Sequence, residues 1–193
     1  MQADPMTLAS IAAGVVVLLA VIVAVMRHRS HQRSLMLREH FGPEYERAMA
    51  ELGGRSAAER ELSERQRRYE KLDIRKLSGE ESARFASAWI EVQQRFVDDP
   101  SGAVVDADAL VKNVMGVCGF PLGNFEQRVA DLSVEHANVV HHYRAARAIA
   151  QANARGEVST EDLRQAMVHY RALFNDLLEP ERVSHAVLRP SHA

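Results

Sequence analysis

Three histidines in one predicted helix are the residues best suited to chemistry. His136, His141 and His142 could bind a metal ion or exchange protons near neutral pH. Helical metal ligands usually stand three or four positions apart, because this spacing places both rings on one face. The spacings here are five, six and one, and only the preceding acids Asp131 and Glu135 stand four apart. We therefore predict no metal site and interpret the histidines as solvated or capping side chains.

Cys118 is the single cysteine of the chain. A nucleophile paired with one of the histidines is conceivable, but no local motif supports it and no fixed positive charge stands nearby to lower the thiol pKa. We interpret Cys118 as a small buried apolar residue near a helix end. One cysteine excludes a disulfide within the chain and favours a reducing compartment.

Adjacent carboxylates occur at positions 80–81, 98–99 and 161–162, which are predicted helix ends. The helix dipole accounts for those at helix starts. The glycines are isolated or lie at helix ends, so no phosphate-binding loop is present. We predict no catalytic, cofactor-binding or metal-binding residue, and no cofactor. A net charge of −2 argues against a nucleic-acid partner.

Four short segments combine arginine or glutamine with an aromatic residue and could line a groove for a partner helix. They are Arg84-Phe85, Gln93-Gln94-Arg95-Phe96, Phe125-Glu126-Gln127-Arg128 and His169-Tyr170-Arg171. Ordinary helix packing also explains them, since arginine stems lie along apolar surface while their head groups remain in water. We favour packing from the sequence alone.

The elements that must position these residues begin with an apolar segment at 7–26, which contains no charged residue. Its length corresponds to about 30 Å of helix, the thickness of a bilayer core. We predict that it spans the lipid bilayer. A cleaved signal peptide is the alternative, but residues 1–6 contain no Lys or Arg and the apolar run is long.

Basic residues follow this segment closely and predict its orientation. After the segment, four arginines come before the next acid, Glu39: Arg27, Arg29, Arg33 and Arg38. Before the segment, the charged residue is Asp4 alone. The positive-inside rule then places the N-terminus outside and the C-terminal domain in the cytoplasm. The same arginines predict contact with anionic lipid headgroups.

We predict an all-α fold, because helical periodicity recurs along the chain and no strand pattern appears. The expected organisation has five parts: a short N-terminal tail (1–6), a transmembrane helix (7–26), a basic and charged helical stalk (27–76), a helical-bundle domain (77–178) and a disordered tail (179–193). The stalk carries 13 Arg and Lys against 9 Asp and Glu, and the domain carries 9 against 14. The more basic region therefore lies next to the predicted membrane.

Apolar stripes at helical spacing predict the core of the domain. It comprises Phe85, Trp89, Val92, Phe96, Leu110, Val114, Val139, Tyr143, Leu163, Met167, Tyr170 and Phe174. Capping boxes at Ser78 and Ser159 predict two helix starts, and Ser133 is a predicted cap for a helix over 134–154. Residues 56–72 indicate a charged helix, which we favour as solvated along the domain; a coiled-coil segment is the alternative, although sustained heptads are absent.

Several segments resemble an uncharacterised family of bacterial single-pass membrane proteins with a helical domain. They read FGPEYERA at 41–48, KLDIRKLS at 71–78, RFASAWIEVQQRFVDDP at 84–100, FEQRVADLSVEH at 125–136 and EDLRQAMVHYRALF at 161–174. The resemblance implies a bacterial inner-membrane location and assigns no functional residue.

The sequence supports two classes of function. The leading one is a membrane-anchored helical interaction or scaffold module with an unidentified protein partner. The alternative is an enzyme or small-ligand-binding domain with a pocket between helices. An exposed apolar groove favours the first, and a cavity lined by convergent polar groups favours the second.

Overall fold

A computed structural model describes the backbone of residues 5–178 and the side chains of residues 18–178. This part of the chain contains helices and no strand, which confirms the all-α prediction. The helices are α1 (Pro5–Phe41), α2 (Pro43–Leu52), α3 (Arg55–Tyr69), α4 (Gly79–Asp98), α5 (Pro100–Val117), α6 (Phe125–Glu135), α7 (Ala137–Ala154) and α8 (Thr160–Leu178). The predicted tail at 179–193 and the first four residues of the predicted N-terminal tail lie outside the described residues.

Helix α1 is continuous through the predicted membrane segment and the basic stretch that follows it. Among the described residues, no helix combines the length and the apolar character needed to cross a membrane. The side chains of residues 7–17 lie outside the described part of the chain. The membrane-spanning role of residues 7–26 stays a prediction.

The chain divides into two compact units, Met1–Ser63 and Glu64–Ala193, and α3 crosses the boundary between them. In the first unit, α1 ends at Phe41 and α2 starts at Pro43, because proline fits the first turn of a helix. Gly53 adopts a left-handed conformation (φ 72°) that ends α2. A small core joins the three helices; it consists of Leu37, Phe41, Tyr45, Ala48, Ala58 and Leu62.

The second unit is a bundle in which α5 is central. Helix α5 packs against α4, α7 and α8, and α7 also packs along α8. Most of its fully buried apolar side chains are small, which allows close helix approach; the set is Ala103, Val104, Ala107, Val111, Val114 and the larger Met115. The aromatic rings of Trp89 and Phe174 stack with centroids 4.9 Å apart and join α4 to α8 within the core.

Local signals fix most of the helix ends in the bundle. Ser78 and Glu81 form the predicted capping box, each side chain bonding the backbone N–H of the other residue. Ser159 and Asp162 bond in the same pattern before α8. Asp99 lies between α4 and α5, where its carboxylate accepts a hydrogen bond from the backbone N–H of Gly102.

The prediction that Ser133 caps a helix over 134–154 is wrong. Ser133 is buried inside α6, and its hydroxyl donates to the backbone carbonyl of Ala130 at 2.7 Å. This local bond satisfies the hydroxyl without a cap. The helix break falls at His136, whose backbone (φ −117°, ψ 34°) is not helical. Three residues of the predicted core, Phe96, Leu110 and Val139, are only half-buried.

Candidate docking groove

An open groove runs between α4 and α8 on the surface of the bundle. Both helices pack on α5, and the groove lies between them with Trp89 of the Trp89–Phe174 stack in its lining. Seven side chains line the groove: Trp89, Gln93 and Phe96 from α4, and Arg164, Met167, Val168 and Arg171 from α8. Three of them, Gln93, Phe96 and Arg171, belong to segments that the sequence singled out for a possible groove.

The floor of the groove is apolar and continues into exposed apolar surface. Trp89 and Met167 are buried, whereas Val168 on the opposite rim remains 52% exposed. Ile90 and Val97 stand three positions before and four positions after the groove residue Gln93, a spacing that makes them its neighbours on the surface of α4, and they are 54% and 82% exposed. Exposed apolar side chains that adjoin one groove are typical of a protein interaction site, whereas scattered ones are not.

The charged residues that line the groove are both arginines. Arg171 is exposed and makes no hydrogen bond or ion pair within the described part of the chain. Arg164 forms a two-point ion pair with Glu161, with N–O distances of 2.6 and 2.7 Å, on side chains that are more than half exposed. Water screens such an exposed pair, so that it contributes little to stability. The groove lining therefore combines an apolar floor with positive charge and contains no carboxylate.

A buried polar network lies elsewhere in the bundle and centres on Asp108 of α5. Tyr170 donates a hydrogen bond to its Oδ1 atom at 3.1 Å, Lys112 pairs with Oδ2, and Arg147 lies 3.5 Å from Oδ2. Burial and the neighbouring Asp108 charge raise the pKa of Tyr170, which stays protonated as the donor. Sequence reasoning missed Asp108; its only local signal is Lys112 four positions later.

A buried arginine, Arg128, ties the loop before α6 to α7. Arg128 donates to the hydroxyl of Tyr143 at 3.1 Å and to the backbone carbonyl of Gly123. Burial raises the pKa of Tyr143, although the Arg128 charge opposes this. Phe125 packs beside the Tyr143 ring, with centroids 5.1 Å apart. The segment 125–128 therefore serves internal packing rather than the groove.

The histidines take separate structural roles. His136 contacts the carboxylate of Asp176 at 2.5 Å and so joins the break between α6 and α7 to α8. His142 and His169 share a hydrogen bond between their Nδ1 atoms at 2.8 Å. The ring centroids of His141 and His142 lie 3.9 Å apart. Within the described residues, no group of three or more side chains is arranged to hold a metal ion.

Cys118 is buried at the end of α5, as expected for a packing residue. Burial raises the pKa of its thiol, and the opposing effect of the Arg75 charge is smaller. Its backbone carbonyl accepts a hydrogen bond from the N–H of Arg75 at 2.9 Å. A protonated, buried thiol is a poor nucleophile, so this environment does not favour catalysis by Cys118.

The paired carboxylates are occupied at helix ends. Arg75 binds Glu81 through two hydrogen bonds of 2.7 Å and, with the Ser78 backbone, lowers the pKa of Glu81 to about 2. The Gly102 N–H and Arg95 likewise lower the pKa of Asp99. These contacts stabilise helix starts and leave no adjacent carboxyl pair arranged for acid–base chemistry.

The first unit contains its own polar cluster around Glu59 of α3. Tyr45 of α2 donates to its Oε1 atom at 3.0 Å, Arg55 donates at 2.7 Å, and Ser34 of α1 bonds the same oxygen. Burial alone would raise the pKa of Glu59, but these three hydrogen bonds outweigh it and lower the pKa. The cluster ties together α1, α2 and α3.

Comparison with known proteins returned no relative of this chain. No protein-family model matches it, and no curated protein or solved structure does so either.

Proposed function

We propose that this protein is a membrane-anchored helical interaction module. In this proposal, residues 7–26 anchor it in the bacterial inner membrane, with the N-terminus outside and the C-terminal domain in the cytoplasm. The uncharged run of 20 residues and the arginines that follow it support the anchor and the orientation. The family resemblance supports the bacterial setting.

The α4–α8 groove is the observation that carries the interaction role. Its apolar floor, exposed apolar neighbours and arginine rim match the sites at which a domain binds one face of an amphipathic helix. The partner in this proposal is a helical segment of a cytoplasmic or inner-leaflet protein. The buried polar network around Asp108 serves the stability of the bundle that presents this groove.

Anionic lipid headgroups are the second partner that we propose, at the basic part of α1. Arg27 and Arg29 are exposed. Arg33 donates to the Ser63 hydroxyl at 2.6 Å, and Arg38 pairs with Glu46 at 2.8 Å, with both side chains of the pair more than half exposed. Because Glu46 offsets the Arg38 charge, we expect Arg27 and Arg29 to contribute most to lipid attraction.

Membrane anchoring and orientation are tested with the full chain and a variant that lacks residues 1–26. Two reporters are fused separately to Ala193, one active only in the cytoplasm and one active only outside it. We expect the full chain in the membrane fraction after alkaline extraction, the shortened chain outside that fraction, and only the cytoplasmic reporter to be active. Full-chain release by alkali, or activity of the outer reporter, would refute this part of the proposal.

The groove is tested by site-specific photo-crosslinking in native host cells. A photoreactive amino acid replaces Val168 at the groove (52% exposed). In the matched control it replaces Val105, a similarly exposed valine of α5 (59%) that does not line the groove. We expect Val168 alone to capture a partner, which is then identified, purified and shown to bind the full chain but not its Gln93→Arg variant. Equal capture at both sites, or none at Val168, contradicts a docking role.

The alternative, a small-ligand site, would use the open pocket between α4 and α5. Glu91, Arg95, Asp106 and Asn113 supply its polar groups, and the other half of its lining is apolar. Arg95 is already bound to Asp106 at 2.5 Å and to Asp99 at 2.7 Å, which leaves it less available to a ligand. A metabolite that stabilises the wild-type chain against heat but not its Asn113→Leu variant would favour this alternative.

A further inference from the structure

We propose that the occupant of the groove is an amphipathic helix with two carboxylates spaced seven residues apart. This inference rests on the proposed docking function and specifies the chemistry of the partner. It is drawn from two matching ladders of side chains on the walls of the groove.

The first ladder is the pair of arginines on α8. Arg164 and Arg171 stand seven positions apart, which is about 10.5 Å along the helix and nearly two full turns. Both guanidinium groups therefore rise from the same face. A partner helix that lies along α8 meets both of them with carboxylates at positions i and i+7, because it has the same rise per residue.

The second ladder is aromatic and lies on α4. Trp89 and Phe96 also stand seven positions apart, and Gln93 lies between them. Met167 and Val168 fill the corresponding interval between the two arginines on α8. The floor of the groove is thus apolar over the same two turns that the arginines span. The partner helix must place an apolar stripe on this floor, about a quarter turn around its axis from the carboxylates.

Charge favours an acidic rather than a basic or neutral helix. Arg171 has no partner within the described residues, and the Arg164–Glu161 pair is exposed on both sides. A carboxylate that reaches Arg164 in a partly dehydrated groove competes with the exposed Glu161. No lining residue would attract a lysine of the partner.

The test uses the detergent-solubilised full chain and an Ala-rich helical peptide of about four turns. The peptide carries two Glu residues seven positions apart, with Leu three and six positions after the first Glu. Matched peptides carry Gln or Lys in place of both Glu residues. Trp89 is the only tryptophan of the chain and lies in the groove, so its fluorescence reports binding directly.

We expect the Glu peptide to bind about tenfold more tightly than the Gln peptide at low salt, an advantage that shrinks as salt rises. The double variant Arg164→Glu, Arg171→Glu should reverse the preference and bind the Lys peptide best. The control Arg155→Glu alters an exposed arginine that pairs with Glu157 outside the groove, and it should leave the preference unchanged.

Equal binding of the Glu and Gln peptides overturns the charge assignment, as does a preference that the double variant does not reverse. The photoreactive residue at position 168 could instead crosslink a partner that has no acidic helical segment, such as a second copy of this chain or a lipid. That result would refute the inference but leave docking at the groove intact. If Val168 captures nothing, the proposed function itself fails.

Discussion

Replacing Tyr170 with Phe should destabilise the bundle measurably, although it removes a single oxygen atom. Tyr170 is fully buried (0% exposed), and its hydroxyl donates to Asp108 Oδ1 at 3.1 Å. The Asp108 side chain is itself largely buried, and its remaining described contacts, with Lys112 and Arg147, are made by Oδ2. The Tyr170→Phe variant therefore leaves one carboxylate oxygen without its donor.

The size of the effect follows from the type of bond that is lost. A hydrogen bond to a charged group contributes about 1.5–3 kcal/mol, and phenylalanine leaves no cavity that would add a packing term. In a domain of this size, about 1 kcal/mol corresponds to ~4 °C in Tm. We therefore expect Tyr170→Phe to lower Tm by ~6–12 °C.

The assay is thermal and urea unfolding followed by the fluorescence of Trp89. This tryptophan stacks on Phe174 at 4.9 Å, so its signal reports unfolding of the second unit specifically. The matched control is Tyr69→Phe, which removes a hydroxyl that makes no hydrogen bond within the described residues, and it should change stability by less than ~0.5 kcal/mol. If the two variants lose equal stability, the Asp108 network does not stabilise the bundle as we describe.

Three further predictions concern other parts of the second unit. Gly119→Ala should lower the free energy of unfolding by ~2–3 kcal/mol and Gly156→Ala by only about 1 kcal/mol, as measured by urea unfolding. Both residues have positive φ, but a Cβ on Gly119 would lie 2.3 Å from a backbone oxygen, whereas a Cβ on Gly156 would face open space. A disulfide reagent should label Cys118 at least about a hundredfold more slowly in the native chain than in urea, because the buried thiol reacts only after opening. Burial lowers the pKa of His142 and His169, as do neighbouring histidine charges. Because the unfolded chain therefore binds more protons below pH ~6.5, the free energy of unfolding should fall as pH drops from 7 to 5. The double variant His142→Gln, His169→Gln should lose this part of the pH dependence.

Each of these expectations has a result that contradicts it. Equal losses at the two glycines would show that the backbone near Gly119 moves aside without cost. Rapid labelling of Cys118 in the native chain would mean that the end of α5 opens readily. An unchanged slope of stability against pH in the histidine variant would show that the pair does not contribute to acid sensitivity.

Local rules recovered much of the helical organisation from the sequence. The stripe of Phe85, Trp89 and Val92 is buried as predicted, and the capping box at Ser78 begins α4 one residue later. Such features are readable because the residues that determine them lie within two or three turns of each other. Ser133 shows where this reasoning fails, since its hydroxyl could bond forward as a cap or backward to Ala130, and spacing does not distinguish the two.

The groove could not be predicted from local spacing. Gln93 and Arg171 are 78 positions apart, and both line it only because α4 and α8 pack on the same central helix. The sequence offered Gln93 and Arg171 in a set of four polar-aromatic segments, of which the segment at 125–128 packs internally instead. Asp108 was missed because its buried donor Tyr170 lies 62 positions away.

The packing of α8 on earlier helices has a consequence for how the second unit folds during synthesis. Helix α8 packs against both α5 and α7, and its Phe174 completes the stack with Trp89. A nascent chain that has synthesised only α4 to α7 therefore exposes the apolar side of α5 that α8 later covers. The second unit should acquire protease resistance only when α8 has left the ribosome, and truncations that remove α8 should become targets for degradation.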